Sequence, residues 1–179
     1  DESIRPDTTL DVLAKLAPAF EADGKVTAGN APGMNDGAAA LVVASRQYAE
    51  AHSHQPIARI VGYGHAAVEP AWIFYAPVKA IPIALQRAGW TMEDVDLFEV
   101  NEAFAAQVMA DVKGLKRDGY ELPLEKLNVN GGAIALGHPL GASGARVLIT
   151  LIHALQDRGL KRGLAALCLG GAEAVALAV

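Results

Sequence analysis

The sequence predicts an α/β fold on three observations. Short runs of apolar and β-branched residues alternate with longer segments whose apolar residues recur at helical spacing. Turns rich in glycine, asparagine and proline separate these segments. The 179 residues are 52% hydrophobic and 20% charged, which supplies enough apolar material for the buried core of a globular domain. The same composition excludes the disordered and collagen-like classes.

Charge and cysteine content narrow the classes of function. The net charge is −5 and no stripe of lysine and arginine appears, so nucleic acid is not expected as the main partner. No apolar run reaches the ~18 residues that a membrane-spanning helix needs, so no membrane partner is expected. Cys168 is the single cysteine, which excludes a cysteine-based zinc site and fits a reducing compartment, the cytoplasm. His52 and His54 do not share a helix face, so no metal site is predicted.

The N-terminal part of the chain contains few predicted elements. Residues 1–34 are turn-rich, with one short helix predicted at 14–20. Residues 38–51 are rich in alanine and predict a strand followed by a helix. The chain opens without methionine and without a signal peptide, so we expect it to be a piece of a longer protein.

Strands and helices alternate from residue 56 onward. Pro77 suits a first helical turn and Gly89 follows the end of the same helix, whereas Pro82 inside it predicts a kink or a start near Ile81. The last two predicted strands are suited to a hairpin. The predicted strands are 57–61, 95–100, 127–130, 163–169 and 174–179. The predicted helices are 77–88, 103–112 and 143–155, with a single helical turn at 91–94.

Two glycine patterns look like nucleotide-binding loops but lack what those loops require. Residues 62–67 match a loose G-x-G-x-x-A, yet Pro70 and a bulky aromatic run follow where a dinucleotide-binding helix must begin. Residues 132–137 have the glycine spacing of a P-loop. His138 and Pro139 stand, however, where lysine and serine or threonine are needed to hold phosphate and magnesium. Neither pattern predicts a nucleotide site.

Polar residues follow three successive predicted strands. Asn101 begins the sequence Asn-Glu-Ala-Phe-Ala where a strand turns into a helix. Residues 130–144 form a glycine-rich bend centred on His138, and Cys168 ends a third strand shortly before two glycines. Each has an ordinary explanation when taken alone: a capping asparagine, a core histidine and an inert buried cysteine. Because the active sites of α/β sheets collect at the carboxyl ends of strands, their joint placement favours an active site.

These segments closely resemble those of thiolases, the acyl-CoA C-acyltransferases. The Asn-Glu-Ala-Phe sequence at 101–104, the Gly-His-Pro-Leu-Gly-Ala-Ser-Gly sequence within 130–144 and the Cys-Leu-Gly-Gly sequence at 168–171 occur in the order of that family. Residues 26–39 match a fourth thiolase stretch. Four ordered motifs make the resemblance specific, and they span nearly the whole chain.

The resemblance implies a domain organisation and a set of partners. Residues 56–179 would form the thiolase C-terminal domain, in which a mixed five-stranded sheet is layered between helices. Residues 35–55 would be the last elements of the N-terminal domain, and residues 1–34 the end of its loop region. The substrate would be acyl-CoA, with no cofactor besides this coenzyme A thioester, and the full-length protein would be a homodimer or a tetramer.

The resemblance also implies acid/base chemistry for the residues at the strand ends. His138 would help to activate a nucleophilic cysteine and then donate to the substrate thioester oxygen, tasks that suit an imidazole because its pKa lies near neutrality. Asn101 would hold a water that completes this oxyanion hole. Cys168 would remove the α-proton in condensation, its pKa lowered by a neighbouring imidazole and loop N–H groups. Gly170 would offer a backbone N–H to a second oxyanion hole. The residues implied to line the substrate channel are Ala103, Phe104, Pro32, Met34 and Ile73.

The nucleophile is the missing component in this comparison. Thiolases use two cysteines, and Cys168 stands at the acid/base position, so the nucleophile belongs to an N-terminal half that would be a required partner. We therefore expect no turnover from the 179-residue chain alone. The alternative is a non-catalytic thiolase-like acyl-CoA or lipid-binding protein or an interaction fragment, and the intact sequence at 101–104 favours the enzyme. Pro32 replaces a common serine and residues 72–75 replace a smaller stretch, which leaves the acyl chain length open.

Overall fold

A four-stranded mixed sheet organises the computed structural model, which describes residues 4–179. The strands are β1 (Gly62–Ala67), β2 (Leu97–Val100), β3 (Gly163–Leu169) and β4 (Glu173–Ala178). Their order across the sheet is β1-β4-β3-β2. Strand β2 runs parallel to β3, whereas β4 runs antiparallel to both of its neighbours. The parallel pair places the carboxyl ends of β2 and β3 side by side.

Helices cover both faces of this sheet. Helix α3 packs on β1 and β4, and α6 packs on β2 and β3. Within residues 4–179 the helices are too short or too polar to cross a lipid bilayer. The α-helices are α1 (Leu10–Leu13), α2 (Arg46–Ala51), α3 (Pro77–Ala88), α4 (Ala105–Arg117), α5 (Ala133–Leu136) and α6 (Ser143–Arg158), and two 3₁₀ helices span Pro70–Tyr75 and Leu124–Lys126.

The two faces of the sheet bury two separate cores, because successive side chains of a strand point to opposite faces. Phe98 of β2 and Leu164 of β3 point into the core that also holds α3 and the end of α4. Leu97 and Ala165, each one residue away on the same strands, point into the core beneath α6. Both strands are therefore buried on both faces, which accounts for the continuous apolar sequence of β3 and for the burial of Glu99 within β2.

Helix α3 lies close to β1 because glycines of the strand face the helix. Val78 and Ile81 are buried on the apolar side of α3. A Cβ atom added at Gly64 would overlap the carbonyl oxygen of Ala80, so the strand and the helix backbone meet where a larger residue has no room. Gly89 caps the helix in the left-handed conformation, with φ of 71°. The bounds predicted for this helix are confirmed.

The five-stranded sheet is wrong, because the strand predicted at 127–130 does not form. Leu127 makes an isolated parallel bridge with Phe98, and the chain then turns because Asn128 has a φ of 48°. The Asn128 side chain accepts from the Val100 N–H at 2.8 Å and donates to the Val100 carbonyl at 2.9 Å. These bonds occupy the main-chain groups that a continuing strand would use. An asparagine in the left-handed region thus ends the ladder after one bridge, and four strands remain.

Several smaller predictions are also wrong. Strand β1 begins at Gly62 because its partner β4 ends at Ala178, and the last bond between them runs from the Val61 N–H to the Ala178 carbonyl at 2.8 Å. The Asp94 carboxylate accepts hydrogen bonds from the N–H and the hydroxyl of Thr91, and these close a bend instead of a helical turn. The elements that do not form are the strand at 57–61, the strand in the first part of 38–51, the helix at 14–20 and the helical turn at 91–94.

The C-terminal elements agree with the sequence prediction. Helix α6 covers the predicted 143–155 and extends it to Arg158. Strands β3 and β4 form the predicted hairpin across the turn at Gly170 and Gly171. Helix α3 continues through Pro82. The elements that carry Cys168 and follow His138 are therefore the ones whose patterns are strongest.

Candidate active site

The carboxyl ends of β2 and β3 bring two of the three polar segments together. Asn101 follows β2 directly and is buried, and its backbone N–H donates to the Ala166 carbonyl of β3 at 2.9 Å. Cys168 lies two residues beyond Ala166 on the same strand. The parallel pairing of Val100 with Ala166 sets this arrangement. The two strands thus deliver an amide side chain and a thiol to one edge of the sheet.

The third polar segment reaches this edge through His138. The His138 Nε2 atom lies 3.4 Å from Asn101 Nδ2, and its Nδ1 atom lies 2.6 Å from Ser143 Oγ. The Ser143 hydroxyl donates its hydrogen to the Pro139 carbonyl at 3.0 Å, so its oxygen is left to accept from His138 Nδ1–H. Nε2 is then the unprotonated nitrogen and accepts from Asn101. The bonds therefore fix a neutral imidazole whose Nε2 lone pair faces Asn101 at the end of β2.

Burial favours the neutral form of this imidazole. The pKa of His138 is lowered from its ordinary value, first by burial and second by the positive charge of Arg146. At neutral pH the ring is therefore uncharged, as the hydrogen bonds to Asn101 and Ser143 require. A neutral imidazole with an unprotonated Nε2 can accept a proton and afterwards donate it.

Glu102 ties the glycine-rich bend to the end of β2. Its two carboxylate oxygens accept at 3.0 Å from the Asn128 side-chain amide and at 3.0 Å from the Ile134 N–H. A Cβ atom at Gly132 would lie 2.5 Å from the Glu102 carboxyl carbon, so the bend passes close to this side chain. Charge-assisted bonds of this kind are about twice as strong as neutral ones, and they hold the segment leading to His138.

A buried ion pair lies beneath Asn101 on the α6 side of the sheet. Glu99 is 2% exposed, and its carboxylate lies 3.9 Å from the guanidinium of Arg146. Burial raises the pKa of Glu99 to about 7, against the opposing effect of Arg146. The pair places charge near His138, because Arg146 also acts on that imidazole.

Cys168 is half-buried near the end of β3. Burial first, and the negative charge of Asp111 second, raise the pKa of this thiol to about 11. The expectation that a neighbouring imidazole and loop N–H groups lower this pKa is therefore wrong, because desolvation and a carboxylate outweigh the lowering effect of a backbone hydrogen bond. The thiol is protonated at neutral pH, which is the form that donates a proton.

The residues expected to line a substrate channel are only partly brought together. The Phe104 ring, at the start of α4, packs edge-to-face against Phe74 at 5.3 Å and against Phe20 at 6.5 Å between centroids. Met34 is 99% exposed. Ala103 is buried, whereas Pro32 and Ile73 are half-buried and Gly170 is exposed in the β3–β4 turn. Phe104 thus lies in an aromatic cluster with Phe74 and Phe20.

The N-terminal segment lies against the loops of this site. The backbone N–H of His138 donates to the Gly33 carbonyl at 3.3 Å, and the backbone N–H of Ala105 donates to the Asn30 carbonyl at 2.9 Å. An open cleft of about 340 Å³ lies between residues 35–39 and the bend that follows His138. A larger cavity of about 790 Å³ lies elsewhere, lined by Trp90 and residues 57–61 among others, and it does not border Asn101, His138 or Cys168.

Sequence reasoning missed the polar residues that support the site. Ser143 and Glu102 stood within motifs that were recognised, but their hydrogen bonds join residues far apart in the chain. Gln107 and Asp111 are buried on α4, and their four-residue spacing on an apolar helix face was the available signal. Among residues 4–179, no group of three or more histidine, cysteine, aspartate or glutamate side chains is placed to hold a metal ion.

Comparisons with known proteins agree with this geometry. Residues 54–179 match the family model "Thiolase, C-terminal domain", and residues 1–47 match "Thiolase, N-terminal domain". The chain is 55% identical over its full length to an acetyl-CoA acetyltransferase of Chromobacterium violaceum and 52% identical to one of Allochromatium vinosum, and it spans 44% of the length of each.

Solved structures give the same result. The chain superimposes on a Bacillus anthracis acetyl-CoA acetyltransferase with a TM-score of 0.93 at 50% identity, and the match covers 99% of this chain and 44% of that one. A human mitochondrial 3-ketoacyl-CoA thiolase in complex with CoA matches with a TM-score of 0.88 at 44% identity, with the same shares of the two chains covered. The chain therefore spans less than half the length of these relatives.

Proposed function

The chain belongs to the thiolase family, and from this premise we propose that it supplies the acid/base half of an acyl-transfer active site. The proposed reaction is the reversible Claisen condensation of two acetyl-CoA molecules to acetoacetyl-CoA and CoA, run in either direction. The observation that carries the proposal is the set of hydrogen bonds that joins Asn101, His138 and Ser143 at the carboxyl end of β2.

His138 carries the first proton transfer in this proposal. Its unprotonated Nε2 takes the proton from a nucleophilic thiol, and the resulting thiolate attacks the thioester carbon. The same nitrogen, now protonated, donates a hydrogen bond to the thioester oxygen as negative charge develops there. Asn101 holds the imidazole from the strand side and shares in this oxyanion site.

Cys168 carries the second proton transfer. In the thiolysis direction the carbon–carbon bond breaks and its electron pair remains on the α-carbon of the leaving acyl-CoA. A protonated Cys168 thiol supplies the proton that this carbon needs, and the raised pKa of Cys168 supports that role. In condensation the thiolate takes the α-proton instead. The backbone N–H of Gly170 is proposed as a donor to the second oxyanion site.

The substrate proposal is a coenzyme A thioester with no resident cofactor. Support comes from the CoA complex of the human mitochondrial relative and from the Phe104 aromatic cluster beside the site. Ala103, Phe104, Pro32, Met34 and Ile73 are proposed to line the channel for the pantetheine arm. A cytoplasmic location and assembly as a homodimer or tetramer complete the proposal, together with an N-terminal half that brings the nucleophilic cysteine.

A chimera tests this function. In it the 179-residue chain replaces the matching 44% of the Chromobacterium violaceum acetyl-CoA acetyltransferase, and CoA-dependent cleavage of acetoacetyl-CoA is followed by absorbance. We expect turnover from the chimera and none from the chain alone. A folded, soluble chimera without activity beside an active parent enzyme would contradict the proposal, and turnover by the chain alone would remove the need for a second cysteine.

The histidine role has its own test in the same chimera. We expect His138→Ala to lower kcat about 10²–10³-fold, as does the loss of one oxyanion donor in other enzymes. His153→Ala, on the exposed side of α6, is the matched control and should leave kcat unchanged. Equal rates for His138→Ala and His153→Ala would remove His138 from the mechanism.

A further inference from the structure

Helix α4 buries a carboxyl group that the proposed mechanism does not use. Asp111 is 2% exposed, and its Oδ1 atom has no hydrogen-bond partner among the described residues. Its Oδ2 atom accepts a hydrogen bond from Gln107 Nε2, one turn earlier on the same helix. Burying an ionisable carboxyl with half of its acceptor capacity empty costs free energy, so a structural role alone explains it poorly.

Gln107 connects this carboxyl to the Asn-Glu-Ala-Phe segment. The Gln107 Oε1 atom accepts from the backbone N–H of Ala103 at 3.1 Å. A backbone N–H can only donate, so the Gln107 oxygen must face Ala103 and its NH₂ group must face Asp111. Gln107 is itself 4% exposed. Its two hydrogen bonds therefore hold the Asp111 carboxyl in one orientation relative to the Asn-Glu-Ala-Phe segment, which begins with Asn101.

Sheet and helix periodicity place Asp111 and Cys168 at the same end of one core. Leu164 and Ala166 of β3 point into the core beneath α3 and α4, and Cys168 is the next residue of β3 on that face. Leu115 of α4 lies in the same core, and Asp111 precedes it by four residues on the same helix face. The carboxyl and the thiol thus share one buried layer at the carboxyl end of the sheet.

The other charged groups near these two residues are engaged elsewhere. Glu173 on β4 points to the opposite face from Cys168, and its carboxylate lies 3.7 Å from His65. Lys79 on α3 bonds to Asp118 at 2.9 Å, and the Tyr75 hydroxyl accepts from Arg117 at 2.7 Å. Asp111 is accordingly the group whose charge acts on the Cys168 thiol.

We propose that Asp111, held by Gln107, is a positioning residue of the acyl-transfer site whose carboxylate disfavours the thiolate of Cys168 and keeps this side chain a proton donor. The inference rests on the proposed function for its part in catalysis. The electrostatic link itself needs no substrate. Like charges in a poorly solvated site cannot both form without a large cost, so ionisation of Asp111 opposes ionisation of Cys168.

The single cysteine makes this link measurable on the 179-residue chain. The rate of Cys168 alkylation by iodoacetamide, followed by intact mass between pH 5.5 and about 9.5, reports the thiolate fraction of this residue alone. We expect Asp111→Asn to raise the rate about three- to tenfold at pH 8 to 9, since one unit of thiol pKa changes the thiolate fraction tenfold. Asp111→Glu keeps the charge and should restore the lower rate. Glu173→Gln is the matched control on the opposite face and should alkylate at the original rate.

The unsubstituted chain provides a second test that does not depend on how the variants fold. For a thiol that interacts with no other titrating group, the base-10 logarithm of the alkylation rate rises by one per pH unit below the thiol pKa. Because burial raises the pKa of Asp111 to about 7, its ionisation should flatten this rise near pH 7. Equal rates for Asp111→Asn and the unsubstituted chain, or a straight line of unit slope through pH 7, would overturn the proposal. Neither result tests the acyl-transfer proposal, which is tested separately by the activity of the chimera.

Discussion

Ser143 decides which nitrogen of His138 carries the proton. It is fully buried, and its hydroxyl oxygen is the acceptor that holds Nδ1–H. We predict that Ser143→Ala in the chimera lowers kcat by about tenfold or more, because a lost hydrogen bond of about 1.5 kcal/mol no longer holds the imidazole in one tautomer and orientation. Steady-state thiolysis rates measure the effect, and Ser143→Thr, which keeps the hydroxyl, should recover most of the rate. An unchanged kcat in a folded Ser143→Ala chimera would show that the His138 ring keeps its orientation without Ser143.

Asp111 also makes a prediction about stability and pH. Burial raises its pKa from 3.8 to about 7, so between these values the native state binds a proton that the unfolded state has released. Stability from this group is present below about pH 4 and is lost as pH rises to 7. The lowered pKa of His138 gives a pH-dependent contribution to stability of the opposite sign. Every variant that keeps His138 shares this contribution, so it cancels when two such variants are compared.

Urea denaturation at pH 4.5 and at pH 7.5 measures this linkage. We expect the free energy of unfolding of the unsubstituted chain, relative to that of Asp111→Asn, to fall by roughly 1–3 kcal/mol between the two values. Glu173→Gln, at an exposed carboxylate, serves as the control and should follow the unsubstituted chain. A difference that stays constant with pH would mean that Asp111 ionises in the native state as it does in the unfolded chain.

Residue chemistry was only partly predictable from the sequence. Asn101, His138 and Cys168 could be selected because each lies at or after the end of a predicted strand, and strand ends gather active sites. The direction in which the Cys168 pKa shifts could not be predicted. The shift depends on how deeply β3 is buried and on Asp111, a residue 57 positions earlier in the chain. Burial and long-range charge are properties of the packed molecule.

At the scale of elements, the contact between β1 and α3 is the tightest constraint on the fold. Gly64 meets the Ala80 carbonyl directly, so Gly64→Ala should push the helix away from the sheet. We predict a loss of about 1–3 kcal/mol in the free energy of unfolding, the usual cost of overpacking a core. Urea denaturation checks it, with Gly141→Ala as the control, since a Cβ atom there meets open space. Equal stability of the two variants would mean that α3 can shift at no cost.

Elements with strong internal patterns were predicted well, and those that need a neighbour were not. Helix α3 has a proline at its start and a glycine after its end, and its bounds were predicted to the residue. The segment at 127–130 has the composition of a strand, but the left-handed Asn128 ends its pairing with β2 after one bridge. Strand formation depends on a partner, and the sequence of the strand alone does not supply one.

At the scale of the whole molecule, the sheet separates two cores and collects the polar groups at one edge. The parallel pair β2 and β3 brings Asn101 and Cys168 to the same end of the sheet, and the bend after α5 brings His138 to Asn101. Four ordered motifs allowed the family to be recognised from the sequence, while the number of strands it implied was wrong by one. The motifs could be recognised because they hold the residues of the site. The length of each strand depends instead on local packing.

In the proposed function, Cys168 is the acid/base group of an acyl-transfer site that a second polypeptide segment completes. The kcat of acetoacetyl-CoA thiolysis by a Cys168→Ala chimera tests it most directly, because this change removes the proton donor and little else. We predict a fall of about 10²–10⁴-fold, the usual contribution of a general acid or base, with the acetoacetyl-CoA KM changed by much less. A folded Cys168→Ala chimera that turns over within twofold of the unsubstituted chimera would remove Cys168 from the proton transfer.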